Sequence, residues 1–264
     1  MKLIYKTITI IGATLVIEVM APATFAQANL TSKAQIQAVD YLNRGLDKVK
    51  QGNYKGAIAD YTQAINTNPK LIVAYISRGK AYHDLEELNR AIADFDLAVK
   101  LQPNSAQAYY NRGEARTDLG DLPGAIADLD RAIGLNPKYI EAYNNRAVAR
   151  ASLGDPQKAI ADLDRVIKLN PKYVDAYYNR GNARTEIGDA NGAISDYNQA
   201  LRLQPNLAEA YGNRGLLYAE TGNKQAALSD LHQAAQLFAK QGKPESYQQT
   251  LGFIQQIQQP SRQP

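Results

Sequence analysis

Prolines recur along this chain at a constant interval: Pro69, Pro103, Pro137, Pro171 and Pro205 each follow the last by 34 residues. A fixed period constrains a fold more tightly than composition does, because one unit must pack against copies of itself and every contact repeats with it. With the proline counted as position 32, the copies occupy residues 38–71, 72–105, 106–139, 140–173, 174–207 and 208–241. The sixth copy lacks the proline and keeps the rest of the pattern.

Within the unit, large and small residues recur at helical spacing. Position 4 is Tyr41, Tyr75, Tyr109, Tyr143, Tyr177 and Tyr211, and position 8 is Gly45, Gly79, Gly113, Ala147, Gly181 and Gly215. Position 20 is always alanine, from Ala57 to Ala227. Position 24 is large (Tyr61, Phe95, Leu129, Leu163, Tyr197, Leu231), and position 27 is small (Ala64, Ala98, Ala132, Val166, Ala200, Ala234). Small residues set against large ones at these spacings describe two helices in close contact. Gly52, Gly120, Gly154, Gly188 and Gly222 stand at position 15, where a first helix would stop in the left-handed conformation; Glu86 departs from the rule. Asp155 before Pro156 reads as an N-cap with proline in the first turn of a second helix. Each copy is expected to be helix, tight turn, helix.

Taken together, the Tyr, Gly, Ala, large residue, Ala and Pro at positions 4, 8, 20, 24, 27 and 32 resemble the tetratricopeptide repeat, over residues 38–241. The resemblance implies an all-α fold, a right-handed α-solenoid of six helix-turn-helix repeats. The chain departs from the family pattern with Tyr for Trp at position 4, Arg for Leu at position 7 and the missing sixth proline. Its wording is most similar to bacterial members. Residues 242–259 carry Tyr247, Leu251, Ile254 and Ile257 at helical spacing with glutamines opposite, and are expected to form the capping helix that the last unit of a solenoid needs. Residues 29–37 and 260–264 are expected to be linker and tail.

The N-terminus differs in composition. Lys2 and Lys6 precede an apolar run from Thr7 to Ile17, and small residues close it at Ala26-Gln27-Ala28. Residues 1–28 therefore read as a signal peptide, cleaved after Ala28 or, as the alternative, after Ala26. The run is shorter than the roughly 20 residues that span a bilayer, and extending it to Phe25 takes in Glu18 and Pro22. The expectation is export across the inner membrane to the periplasm or beyond, the alternative being an uncleaved N-terminal anchor.

Two charged columns run through the repeats. Position 7 is Arg44, Arg78, Arg112, Arg146, Arg180 and Arg214; position 23 is Asp60, Asp94, Asp128, Asp162, Asp196 and Asp230. An arginine where the family has leucine would be partly buried, and leaving it unpaired would cost several kcal/mol, so these residues are expected to pair and to hold the stack. Arg116, Arg150 and Arg184 occur in the copies that carry Asp121, Asp155 and Asp189, which predicts a local ion pair at each of those turns.

The resemblance implies that binding uses a concave face lined by positions 2, 5, 6, 9, 12 and 13. Position 6 supplies Asn43, Ser77, Asn111, Asn145, Asn179 and Asn213. A carboxamide offers both a donor and an acceptor, so this row is a candidate ladder for a peptide backbone, or else simply a common family residue. Tyr110 and Tyr178 add aromatic surface, and Leu42, Leu46 and Ile76 add apolar surface, unless they only pack between helices. Lys50 and Lys80 are outnumbered there by Asp84, Glu114, Asp118, Glu141, Asp175, Glu186, Glu209 and Glu220, although the whole chain carries a net charge of +4. An acidic groove favours a protein or peptide partner with basic residues or a free amino terminus; the plain alternative is a solvated acidic face. The rival for function is an assembly subunit that docks through its outer surface.

Chemistry is not expected. The chain has no cysteine and two histidines, His83 and His232, at unrelated repeat positions; His83 falls where it could line the groove but reads as a surface imidazole with no partner, and no nucleophile with its base, acid–base pair or metal-ligand set is recognised. The Asp-x-Asp pairs such as Asp128 and Asp130 recur with the repeat and read as helix-face residues. No cofactor is implied. The basic residues are interspersed with acidic ones, which argues against nucleic acid, and the sparse line Lys70, Lys138 and Lys172 allows at most a peripheral membrane contact.

Overall fold

The computed structural model describes residues 22–259, with side chains from residue 33. The expected signal peptide falls largely outside the described residues, and the tail 260–264 does so entirely. Among the described residues thirteen α-helices follow one another without a strand. The first helices of the six copies are α1 (Pro22–Lys50), α3 (Ile72–Asp84), α5 (Ala106–Leu119), α7 (Ile140–Ser152), α9 (Val174–Glu186) and α11 (Ala208–Glu220). The second helices are α2 (Tyr54–Thr67), α4 (Leu88–Leu101), α6 (Leu122–Leu135), α8 (Pro156–Leu169), α10 (Ala190–Leu203) and α12 (Lys224–Lys240), and α13 (Pro244–Gln258) comes last. The chain divides into two compact units between Ala74 and Tyr75.

The N-terminal unit is built on α1 and α2. Residues 29–37, expected to be linker, instead belong to α1. The physical reason is propensity and burial: no glycine or proline interrupts residues 23–44, Ala34, Gln35 and Gln37 are good helix formers, and Ala38 is fully buried.

In the C-terminal unit each helix from α4 to α13 packs on the next, and α5 also touches α7, α7 touches α9, α9 touches α11 and α11 touches α13. No second helix touches the next second helix. The stack is therefore tighter on the side of the first helices, which line its inner face. Alanines at position 20 (Ala91, Ala125, Ala159, Ala193, Ala227) are fully buried. Core clusters draw on adjacent copies: Leu129, Ala132 and Ile133 pack with Ala142, and Leu163 and Val166 pack with Ala176 and Ala183. A Cβ on Gly181 would come within 2.6 Å of the Tyr197 ring, so an aromatic at position 24 demands glycine at position 8. Opposite Ala147 the residue is Leu163 instead, and alanine is accommodated. In α13, Tyr247 packs against the cluster containing Phe238, and Thr250 and Ile254 are buried.

The turns between paired helices follow one design with one exception. Asn53, Asp121, Asp155, Asp189 and Asn223 each accept a hydrogen bond from the backbone N–H three residues on, at 2.9–3.3 Å, capping the second helix. The preceding glycine has positive φ in these five turns. The second copy has neither device: Glu86 sits at φ +59°, and Glu87 at the N-cap makes no side-chain cap. Left-handed backbone costs a residue with a Cβ about 1–2 kcal/mol, and a missing cap about 1 kcal/mol. We expect Glu86→Gly to raise stability by about 1 kcal/mol and Glu86→Gly/Glu87→Asp by about 2 kcal/mol, read from urea unfolding midpoints. A neutral or destabilising double substitution would contradict this account of the turn.

Candidate functional site on the first helices

The inner face rests on an ionic framework. In all six copies the position 7 arginine meets the position 23 aspartate of its own repeat: Arg44 with Asp60, Arg78 with Asp94, Arg112 with Asp128, Arg146 with Asp162, Arg180 with Asp196 and Arg214 with Asp230. The geometry is a two-pronged fork; Arg180, for example, donates from Nε and Nη2 at 2.9 and 2.6 Å. Each aspartate is buried, and each guanidinium lies 5.0–6.0 Å from the ring centroid of the position 4 tyrosine three residues before it. Against a desolvation that would lower them, pairing with the aspartates raises the arginine pKa values above their ordinary value in every copy. In the N-terminal unit, Arg44 followed by Lys48 holds the Asp60 carboxyl below its ordinary 3.8, although its burial alone would raise it.

The remaining guanidinium nitrogen reaches backward one repeat. Arg112 Nη1 donates to Asp96 at 2.7 Å, Arg146 to Asp130 at 2.5 Å, Arg180 to Asp164 at 2.6 Å and Arg214 to Asn198 at 2.5 Å. The Asp-x-Asp pattern is thus more than a helix-face feature: its first aspartate holds its own repeat and its second holds the next.

The expected pairs at the turns need correction. Arg116 and Arg184 do approach Asp121 and Asp189, each at 3.6 Å, but both bond more closely, at 2.7 Å, to the buried aspartates Asp128 and Asp196. Arg150 makes no ion pair with Asp155; it bonds Asp162 at 2.8 Å, and Lys158 takes Asp155. The buried carboxylate, poorer in water, is the stronger competitor for the cation.

The candidate binding residues fall into three groups. The first is the position 6 carboxamides, which are partly engaged along the stack. Asn145 donates to the Tyr110 hydroxyl at 3.2 Å, Asn179 to Asn144 Oδ1 at 3.3 Å, and Asn213 to the Tyr178 hydroxyl at 3.2 Å and to Asn182 at 2.8 Å. Each spans from position 6 of one copy to position 5 of the copy before. Asn111 would face Ile76 by the same rule, and its Nδ2 is buried without a hydrogen-bond partner. Asn43 is exposed and belongs to the N-terminal unit.

The second group is aromatic. Tyr110 stacks against Tyr139 with ring centroids 4.8 Å apart, and its hydroxyl donates to Glu114 at 2.9 Å. Tyr178 packs at 6.2 Å from Tyr197. Burial, then Glu141 and Glu114, push the Tyr139 phenol up to about 12. Burial, then Asp175 and Glu141, raise Tyr173 as well. Sequence reasoning missed Tyr139 and Tyr173, whose signal is a tyrosine at position 34 in the third and fourth copies alone.

The third group is acidic. Asp118 pairs with His83 Nε2 at 2.7 Å, so that imidazole does have a partner, and Glu209 pairs with Lys243 at 2.7 Å. Against a burial that would raise it, Lys243 holds the Glu209 carboxyl below its ordinary 4.5. Asp84, Glu141, Asp175, Glu186 and Glu220 are exposed and have no ion pair among the described residues. Leu42 is buried, Ile76 half-buried and Leu46 exposed. Beside Asn179, a concavity of about 200 Å³ opens between α7 and α9. No helix of the described residues is long and apolar enough to cross a membrane, and none of their side chains form a metal-ligand cluster.

Two outcomes follow from this geometry. Arg214→Leu strips Asp230 of its cation and is expected to cost about 3 kcal/mol, whereas Arg146→Leu leaves Asp162 with Arg150 and is expected to cost about 1 kcal/mol, compared by urea unfolding. Equal costs would remove the role given to the second cation. For Tyr139, the folded pKa lies above the ordinary 10.0, so its contribution to stability is whole below pH 10 and is lost as pH rises toward 12. In a phenolate absorbance titration, Tyr139→Phe should delete a component near pH 12 and leave the amplitude near pH 10 unchanged; loss of amplitude near 10 would refute the assignment.

Comparison with known proteins agrees with the repeat geometry. The family described as TPR repeat matches residues 45–86, 79–120, 113–154 and 181–222, and Tetratricopeptide repeat profiles match 140–173 and 208–241. No curated protein matches the chain. The crystal structure of MamA is 31% identical, with a TM-score of 0.58 over 62% of this chain and 96% of MamA. YrrB, described as a TPR protein with an unusual peptide-binding site, is 25% identical, with a TM-score of 0.57 over 67% of this chain and 91% of its own. PilW, described as a widely conserved type IV pilus biogenesis factor, shares the fold at 23% identity, with a TM-score of 0.73 over 81% of this chain and 98% of its own. The chain belongs to the tetratricopeptide repeat family, all-α repeat solenoids that serve as protein–protein interaction scaffolds.

Proposed function

We propose that this protein is a non-catalytic scaffold, exported across a bacterial inner membrane, that holds a peptide or protein segment carrying basic residues against the inner face of its first helices. The observation that carries the reading is a charge inversion. The chain as a whole is positive, at +4, yet Asp84, Glu141, Asp175, Glu186 and Glu220 stand exposed along α3, α7, α9 and α11, without ion pairs among the described residues. Such a field attracts Lys, Arg or an amino terminus and repels phosphate, which also disfavours nucleic acid. The oxygens of Asn179 and Asn213 accept no hydrogen bond from the described residues and remain able to accept one from a bound backbone. Likeness to YrrB, itself described as having a peptide-binding site, supports a peptide ligand. Export rests on the basic, apolar and small-residue pattern of residues 1–28.

The rival, docking through the outer surface as an assembly subunit, draws on Leu97 and Leu101 of α4, which are exposed. Cross-linking capture from the native extract, comparing the unsubstituted chain with Asp84→Lys/Glu141→Lys/Asp175→Lys, separates the two. These carboxylates are exposed, so the fold should persist, with a small loss of stability from reversing Glu141 and Asp175 in the first turns of α7 and α9, while the captured partners are lost. Capture of the same partners by both proteins would move the site to the outer surface.

A further inference from the structure

Two neighbouring features of the inner face differ in chemistry and are joined by one row of hydrogen bonds. The first is the concavity of about 200 Å³, floored by Ala151, Leu163 and Ala183 and rimmed by Val148, Ser152, Asn179 and Glu186. It exists because the fourth copy breaks the acidic pattern. Position 13 is Asp84, Asp118, Glu186 and Glu220 in the second, third, fifth and sixth copies, but Ser152 in the fourth; positions 9 and 12 there are Val148 and Ala151. Pockets for drug-sized ligands run to about 300–1,000 Å³, so this one has room for a single side chain. Its floor is hydrocarbon, which selects an aliphatic one.

The second feature lies one copy earlier. Tyr110 and Tyr139 stack at 4.8 Å, Glu114 accepts from the Tyr110 hydroxyl, and Glu141 lies close enough to both Tyr139 and Tyr173 to act on their phenols. Asp175 adds its charge beside Tyr173. Ring faces carry negative potential, and carboxylates beside them add to it, so the cluster is suited to a cation that brings its hydrocarbon stem with it. Between the two features runs a continuous row: Asn179 donates to Asn144 at 3.3 Å, Asn144 to Asn145 at 3.5 Å, Asn145 to Tyr110 at 3.2 Å and Tyr110 to Glu114 at 2.9 Å.

Building on the groove-binding reading, we propose that the third to fifth repeats recognise a bipartite segment: a Lys or Arg held by Tyr110, Tyr139, Tyr173, Glu114 and Glu141, and a nearby aliphatic side chain seated between Val148 and Ala183. Charge complementarity names the first residue and the shape and lining of the concavity name the second. The hydrogen-bonded row fixes the two features at one separation and so sets the spacing between the two side chains.

The test is selection of phage-displayed random dodecapeptides on the full chain, on Glu141→Lys/Asp175→Lys and on Val148→Gln, all substituted at exposed positions. The unsubstituted chain should enrich peptides with a Lys or Arg and a Leu, Ile, Val or Met at a constant spacing. The charge-reversed variant should lose the basic preference and keep the aliphatic one, and Val148→Gln should do the opposite. In fluorescence anisotropy, replacing either side chain of an enriched peptide with Ala should weaken binding about tenfold. Enriched peptides without this pair, or the same preferences in all three proteins, would overturn the bipartite site while leaving groove binding standing. No enrichment from the unsubstituted chain would overturn both readings.

Discussion

The stack depends on how a buried carboxylate is neutralised. Every position 23 aspartate lies in the helix pair and meets an arginine fork from position 7. Burying both charges is favourable only when the fork is complete and the rest of the guanidinium is also satisfied. The fold meets that condition on every side, with the aspartate along one edge, a tyrosine ring beneath the face and, from the third copy onward, a carboxylate or carboxamide of the preceding repeat on the remaining nitrogen. Of the departures from the family pattern, Arg for Leu at position 7 is therefore tied to the aspartate at position 23. A leucine would need no aspartate, and the tyrosine supplies a face on which the cation can lie.

The architecture was legible in the sequence because solenoid contacts are short in range and repeat with the chain. Gly or Ala at position 8 against a large residue at position 24, and positive φ at position 15, are intramolecular rules that alignment of the copies exposes directly. What escaped that alignment lies at its seams. The helical run through residues 29–37 precedes the first copy, so no periodic partner marks it, and only propensity and the buried Ala38 report it. For Arg150, spacing ranks Asp155 and Asp162 alike as partners, whereas burial ranks them apart in favour of Asp162.

The inner face was legible by residue type more than by role. Contacts such as Asn145 to Tyr110, Asn179 to Asn144 and His83 to Asp118 join residues 35 apart, one more than the period. That extra step joins one repeat position to its neighbour on the next copy, a contact between copies that no single copy encodes. So three of the carboxamides expected to await a ligand, Asn145, Asn179 and Asn213, already donate to residues of the preceding copy, His83 has a carboxylate, and only part of the acidic row is left without an ion pair. The tyrosines at position 34 were invisible for the opposite reason: they occur in two copies and leave no column to read.

The backward-reaching nitrogen has one more implication. From the third copy onward it runs from position 7 of a copy to position 25 of its predecessor, and Asn198 serves Arg214 as Asp164 serves Arg180. Donor and acceptor are thus carried by the third, fourth and fifth copies in the same two places, one facing each neighbour. A duplicated or deleted unit of 34 residues would arrive or leave with both halves of its clasp intact, and its neighbours would close on each other without a new interface. Such an array can change length by whole units, while any change in unit length breaks the clasp, so the register is what a change of length must keep.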